Sequence, residues 1–146
     1  ELQNGGEFVV LLFLAAWGND TLAYCTGMLI GKHKMSPILS PKKSIEGLVG
    51  GIVGAAILGA LYGLYLNTYI RFSFNPVTMF PIVCGLSGAV SVIGDLAASA
   101  IKRDSGIKDY GTLIPGHGGI LDRFDSIIFI APVIYYLTVM ISGGAI

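Results

Sequence analysis

Four apolar stretches of this chain are long enough to cross a bilayer as helices, and its polar residues collect in the connections between them. A membrane-spanning helix needs roughly 20 residues, and Phe8–Ile30, Leu48–Leu66, Val77–Ile101 and Ser126–Ile146 come close to or exceed that. The pattern predicts an all-α, polytopic membrane protein with about four transmembrane helices and two polar loops. In the second span, GLVGGIVGAAILGALYGLYLN, glycines recur four apart at Gly47/Gly51, Gly50/Gly54 and Gly59/Gly63. Such spacing lets helices approach closely in lipid, either within one subunit or across a homodimer seam. Tyr62, Tyr65 and Tyr69 suit an interfacial aromatic belt, whereas Tyr135 and Tyr136 are expected to pack more deeply.

Composition agrees with a bilayer setting: 53% of residues are hydrophobic, 12% are charged and the mean hydropathy is +0.75, against about 25% charged in ordinary soluble domains. The net charge of zero hides an uneven distribution. Lys32, Lys34, Lys42 and Lys43 follow the first span, Lys102, Arg103, Lys108 and Arg123 follow the third, and Arg71 alone follows the second. Basic loops stay on the cytoplasmic side, so both polar loops are expected to face the cytoplasm from a protein integral to the cell (inner) membrane. The chain starts at Glu1 and carries no signal-peptide pattern. Residues 1–146 therefore read as a single transmembrane domain, expected to be the C-terminal part of a longer chain. Cys25 and Cys84 sit in separate spans with no CxxC pair, so packing is expected rather than zinc or redox chemistry.

Two acids lie within spans. A carboxylate at membrane depth costs about 2.5–3.5 kcal/mol on insertion scales and normally faces a cavity or a partner. Asp20 sits in WGNDTLAY and Asp95 in SVIGDLAASAIKR. At 100° per residue Ser87, Ser91, Asp95, Ser99 and Lys102 share one face of a helix that leads into the charged second loop. Serines can bond back to their own helix; Asp95 cannot be explained that way.

The loops carry the remaining chemistry. In the first, Pro41 suits the start of a turn or helix, and Ser44 with Gly47 suits a helix cap. Its lysines could attract anionic lipid headgroups or bind a nucleotide. Ser99–Asp125 holds four bases and four acids (Asp104, Asp109, Asp122, Asp125) around the glycine turn Gly116–Gly119. Backbone N–H groups in such a turn can cradle phosphate oxygens. Asp122 and Asp125 fit either the first turn of a helix or, with Asp95, a site for Mg²⁺, which shares hard oxygen ligands with phosphates.

The segment SAIKRDSGIKDYGTLIPGHGGILDRFDS resembles the signature of phosphatidate cytidylyltransferases, the CDP-diacylglycerol synthases. The pattern S-x-x-K-R-x-x-x-x-K-D, then P-G-H-G-G, then D-R-x-D falls on Ser99, Lys102, Arg103, Lys108, Asp109, Pro115–Gly119, Asp122, Arg123 and Asp125. It extends to WGNDTLAY, SPKKSIEGLVGG and GDLAAS; family members usually carry further helices upstream. The resemblance implies transfer of CMP from CTP to phosphatidic acid, giving CDP-diacylglycerol and pyrophosphate, with membrane lipid as a partner and no nucleic acid. It implies Asp95, Lys102, Arg103, Asp122 and Arg123 as catalytic residues. Asp95 and Asp122 would hold Mg²⁺, alone or as one half of a two-cation site. Substrate contacts fall to Asp20, Lys42, Lys43, Ser99, Lys108, Asp109, His117, Gly118 and Gly119, with His117 a phosphate contact rather than a base. The rival readings are a CTP-dependent polyprenol or dolichol kinase and an ion-coupled transporter. No G-x-S-x-G nucleophile elbow is present, nor is the D-x-x-D-G-x-x-A-R pattern of the alcohol phosphotransferases that consume CDP-diacylglycerol.

Overall fold

The computed structural model describes the backbone of residues 5–36, 40–70, 74–107 and 121–141, and the side chains of these except at positions 36, 40–42, 121–123, 125 and 141. Four helical rods fill this range. The first combines α1 (Gly5–Phe13), a π-helical turn (Leu14–Gly18) and α2 (Asn19–Ile30); α3 (Ile45–Tyr69), α4 (Pro76–Asp104) and α5 (Leu121–Ile141) follow. The first three rods are long and apolar enough to span a membrane, and Ser126–Met140 is a shorter apolar helix in α5. Three of the four expected spans are thus present, each extended by a few residues at one or both ends; α5 covers the start of the fourth, whose residues beyond 141 lie outside the described range.

Helix starts follow the local chemistry. The Ser44 hydroxyl caps α3 by accepting the Gly47 N–H at 3.1 Å, as the sequence suggested. Asn75 caps α4 by accepting the Val77 N–H at 3.0 Å, with Pro76 at the first helical position, where a missing N–H costs nothing. Pro81 and Pro132 lie inside α4 and α5, tolerable in membrane helices where neighbours re-satisfy the freed carbonyls.

Between α2 and α3 the chain forms an antiparallel hairpin, β1 (Lys34–Ser36) and β2 (Ser40–Ser44), pairing Lys34 with Ser44 and Ser36 with Ser40. This hairpin corrects the expectation for Pro41, which lies in a strand rather than starting a turn or helix. A two-stranded ribbon is all edge, where proline's missing donor is harmless. Its base is closed by the Ile45 N–H donating to the His33 carbonyl at 2.9 Å. The His33 ring also contacts Glu46, with 2.6 Å between Nδ1 and Oε1.

The glycines of α3 form a seam used within the chain. A Cβ at Gly51 would stand 2.7 Å from Asn19 Oδ1, and one at Gly59 would stand 2.7 Å from the Phe80 carbonyl oxygen. The seam therefore sets α3 directly against α2 and α4, with backbones touching where any side chain would hold them apart. The opposite face of α3, Val49, Val53, Ile57, Leu61 and Leu64, is exposed, as a lipid-facing surface should be. Away from the loops, Phe80 centres an aromatic cluster, edge-on to Phe8 at 6.2 Å and stacked on Tyr62 at 5.9 Å. Tyr62 donates to the Glu7 carboxylate, so it ties helices together rather than lining an interface; Tyr65 and Tyr69 are exposed. Tyr135 and Tyr136 are exposed as well, a correction to their expected packing. Cys84 is buried in the core and Cys25 is exposed.

Candidate active site

The polar ends of α2, α3 and α4 meet beneath the hairpin around a pocket of about 290 Å³. Asp20 and Tyr24 of α2, Met35 and Lys43 of the hairpin, Gly47 of α3, and Val92 and Asp95 of α4 line it. The Lys43 ammonium pairs with Asp95 Oδ2, both side chains being about three-quarters buried (28% and 24% exposed). At 1.5 Å per residue Asp95 lies about 14 Å from the end of α4. Asp95 thus enters the pocket from well inside its apolar rod, while Lys43 reaches it from the hairpin.

Each element has a reason to deliver its residue. Ser44 starts α3, which fixes Lys43 just ahead of the cap. The face of α4 that reads Ser87, Ser91, Asp95, Ser99 and Lys102 in the sequence does point inward. Ser87, Ser91 and Lys102 are buried, while Asp95 and Ser99 are half-buried. Arg103, one position on, is exposed. The π turn Leu14–Gly18 fits one extra residue into the helix and resets its face, as such bulges do, often near functional sites. Directly after it Asn19 is fully buried, and Asp20 reaches the pocket.

The structure therefore brings together Asp20, Lys43 and Asp95. Ser99 and Lys102 continue the same face of α4 beyond the pocket lining. Lys42 lies on β2, and Asp122 and Arg123 on the first turns of α5, but their side chains fall outside the described residues. Lys108, Asp109, His117, Gly118 and Gly119 also lie outside them. The backbone places Asp122 and Asp125 on helix rather than in the loop, which suits either reading of these acids.

Sequence reasoning missed Asn19. Its side-chain nitrogen and oxygen are buried with no hydrogen-bond partner among the described residues, as are the Ser87 and Ser91 hydroxyls. A Cβ on Gly88 would stand 3.0 Å from Asn19 Oδ1, so this amide sits between α3 and α4 next to the serine face. An amide within an apolar run was a visible signal, overshadowed by the acid beside it.

Two carboxylates in one pocket are hard donors. Among the described residues no group of three or more His, Cys, Asp or Glu side chains gathers around a common point. The two pocket carboxylates fit Mg²⁺, which takes one or two carboxylates and completes its shell with water and substrate phosphates.

A family model, the Cytidylyltransferase family, matches residues 1–141. The chain belongs to the cytidylyltransferase family. It is 39% identical over 139 residues to a phosphatidate cytidylyltransferase of Staphylococcus saprophyticus, covering 95% of this chain and 52% of that one. It is 41% identical over 137 residues to a phosphatidate cytidylyltransferase of Staphylococcus aureus, covering 94% and 51%. The Staphylococcus haemolyticus protein of the same name is 38% identical over 137 residues, covering 94% and 51%. The chain spans about half the length of these relatives. Membership bears out the resemblance read from the Ser99–Ser126 signature, whose extensions GDLAAS and SPKKSIEGLVGG supply Asp95 and Lys43 to the pocket.

Proposed function

We propose that this chain forms the catalytic part of a CTP:phosphatidate cytidylyltransferase, transferring CMP from CTP to phosphatidic acid. The observation that carries the proposal is the convergence of Asp20, Lys43 and Asp95 in one pocket at the polar end of the spans, in a chain whose relatives bear that name. A phosphate oxygen of the lipid attacks the α-phosphorus of CTP; the bond to the β-phosphate bridging oxygen breaks and pyrophosphate leaves. A phosphate oxyanion needs no strong base, so catalysis rests on in-line positioning and charge neutralisation.

Asp95, together with Asp122, whose side chain lies outside the described residues, would hold Mg²⁺; the ion would supply positive charge to the phosphate oxygens. Lys43 and Lys42 reach the nucleotide phosphates from the hairpin side. Lys102 and Arg103 at the end of α4, with Lys108 and Arg123 further along the chain, would neutralise phosphates, and the sequence Gly116–Gly119 with His117 would supply N–H donors. Asp20, which lines the same pocket as Asp95, would contact substrate. The Lys and Arg distribution supports a cytoplasmic orientation for these groups, where CTP is available, while the lipid would arrive from the bilayer.

The test is incubation of the purified full-length protein in detergent with CTP, phosphatidic acid and Mg²⁺. Pyrophosphate and CDP-lipid should appear in equal amounts. CDP together with a phosphorylated lipid alcohol would replace this reading with that of a CTP-dependent lipid kinase.

A further inference from the structure

Lys43 and a divalent cation compete for the same oxygens. The ammonium contacts Asp95 Oδ2, and a hard cation on that carboxylate would need the same lone pairs. We propose that Lys43 is an exchangeable counter-ion: it neutralises Asp95 until metal and nucleotide arrive together, then transfers to the nucleotide's phosphate oxygens. Cation and nucleotide binding are thereby coupled. This rests on reading the pocket as a nucleotide site.

Three observations carry the exchange. Both side chains are about three-quarters buried (28% and 24% exposed), so removing either partner leaves an incompletely solvated charge, and each needs a replacement. The charged groups lining the pocket among the described residues are Asp20, Asp95 and Lys43. Metal on Asp95 with Lys43 still alongside puts two cations in contact, a repulsion that an arriving polyphosphate relieves. The backbone around Lys43 is held, by the Ser36–Ser40 pairing before it and by the Lys34–Ser44 pairing and the Ser44 cap at 3.1 Å after it. Exchange therefore takes only rotation of a flexible four-carbon stem carrying a compact point charge. Arginine's planar fork would swap less readily; lysine suits a temporary partner.

The consequence is thermodynamic. If nucleotide draws Lys43 from Asp95 and so strengthens cation binding, then cation must strengthen nucleotide binding by the same factor.

The experiment titrates Mn²⁺ into the full-length protein in detergent and reads free ion by electron paramagnetic resonance. It is run with and without α,β-methylene-CTP, which cannot transfer CMP, and corrected by a protein-free titration. For wild type the analogue should tighten Mn²⁺ binding by at least about tenfold, within the usual range of coupling. Lys43→Met, which keeps the stem and loses the charge, should bind Mn²⁺ alone about tenfold tighter than wild type. It should lose most of the analogue's effect. Lys43→Gln carries the same expectation should the Met variant fold poorly, and Lys43→Arg should bind Mn²⁺ alone no tighter than wild type. Unchanged Mn²⁺ affinity in Lys43→Met and Lys43→Gln, or full coupling retained in both, would overturn the exchange while leaving the nucleotide site standing. Failure of the analogue to bind wild type at any Mn²⁺ concentration would overturn the nucleotide reading and the exchange with it.

Discussion

Lys43 and Asp95 stand 52 residues apart in the chain and meet in one ion pair. Asp95 was legible in the sequence because a carboxylate in an apolar span needs a partner; the identity of that partner was not, since spacing along the chain carries no information about a contact between hairpin and helix. Lys102 and Arg103 were indistinguishable as neighbours, yet one is buried on the inner face of α4 and the other is exposed. Both are expected to act on phosphates at close range. Lys102→Ala and Arg103→Ala should each lower kcat at least about a hundredfold, roughly 2.7 kcal/mol. Raising salt should not reproduce the loss at buried Lys102, because screening acts chiefly on exposed, distant charges. Lys34→Ala, on β1 outside the pocket lining, should stay within a fewfold. Steady-state kinetics at two ionic strengths decides this; equal, salt-sensitive losses at all three positions would indicate a diffuse lipid-attracting patch.

Among the elements, the spans were the most legible part, because about twenty consecutive apolar residues leave few alternatives to a helix in lipid. The hairpin and the π turn were not. A five-residue strand with two lysines and a proline has no period to read, and a π turn differs from an α turn by one residue in an otherwise uniform run. The glycine spacing left two packings open, and the structure uses the seam to join α3 to α2 and α4. Gly59→Leu should therefore be costly, because its side chain would meet the Phe80 carbonyl, which belongs to backbone and cannot swing aside. Overpacking of this kind typically costs about 1–3 kcal/mol. Val53→Leu on the exposed face of the same helix should change stability by less than about 0.5 kcal/mol. Thermal unfolding in detergent compares the two, and equal Tm values would remove the seam from the account of packing.

Across the whole molecule, the basic hairpin region and the region after α4 must share one side if they serve one nucleotide. In a background lacking Cys25 and Cys84, single cysteines at Ser36 and Ser105 should label from the cytoplasmic side and one at Ser73 from the opposite side. Labelling of positions 36 and 105 from different sides would break the four-span topology. The family was legible from motifs alone, since its signature residues lie close together in sequence; the pocket was not, since it is built from three rods and a hairpin. Everything proposed about function places Asp95 at the reacting phosphates. The most direct measurement is CMP transfer to phosphatidic acid by full-length Asp95→Asn, with its Tm in detergent recorded alongside. The expected result is a protein that unfolds within a few degrees of wild type and whose kcat is below about a hundredth of it, a loss of roughly 2.7 kcal/mol or more. A folded Asp95→Asn protein keeping more than about a tenth of wild-type kcat, a loss under roughly 1.4 kcal/mol, would contradict the site.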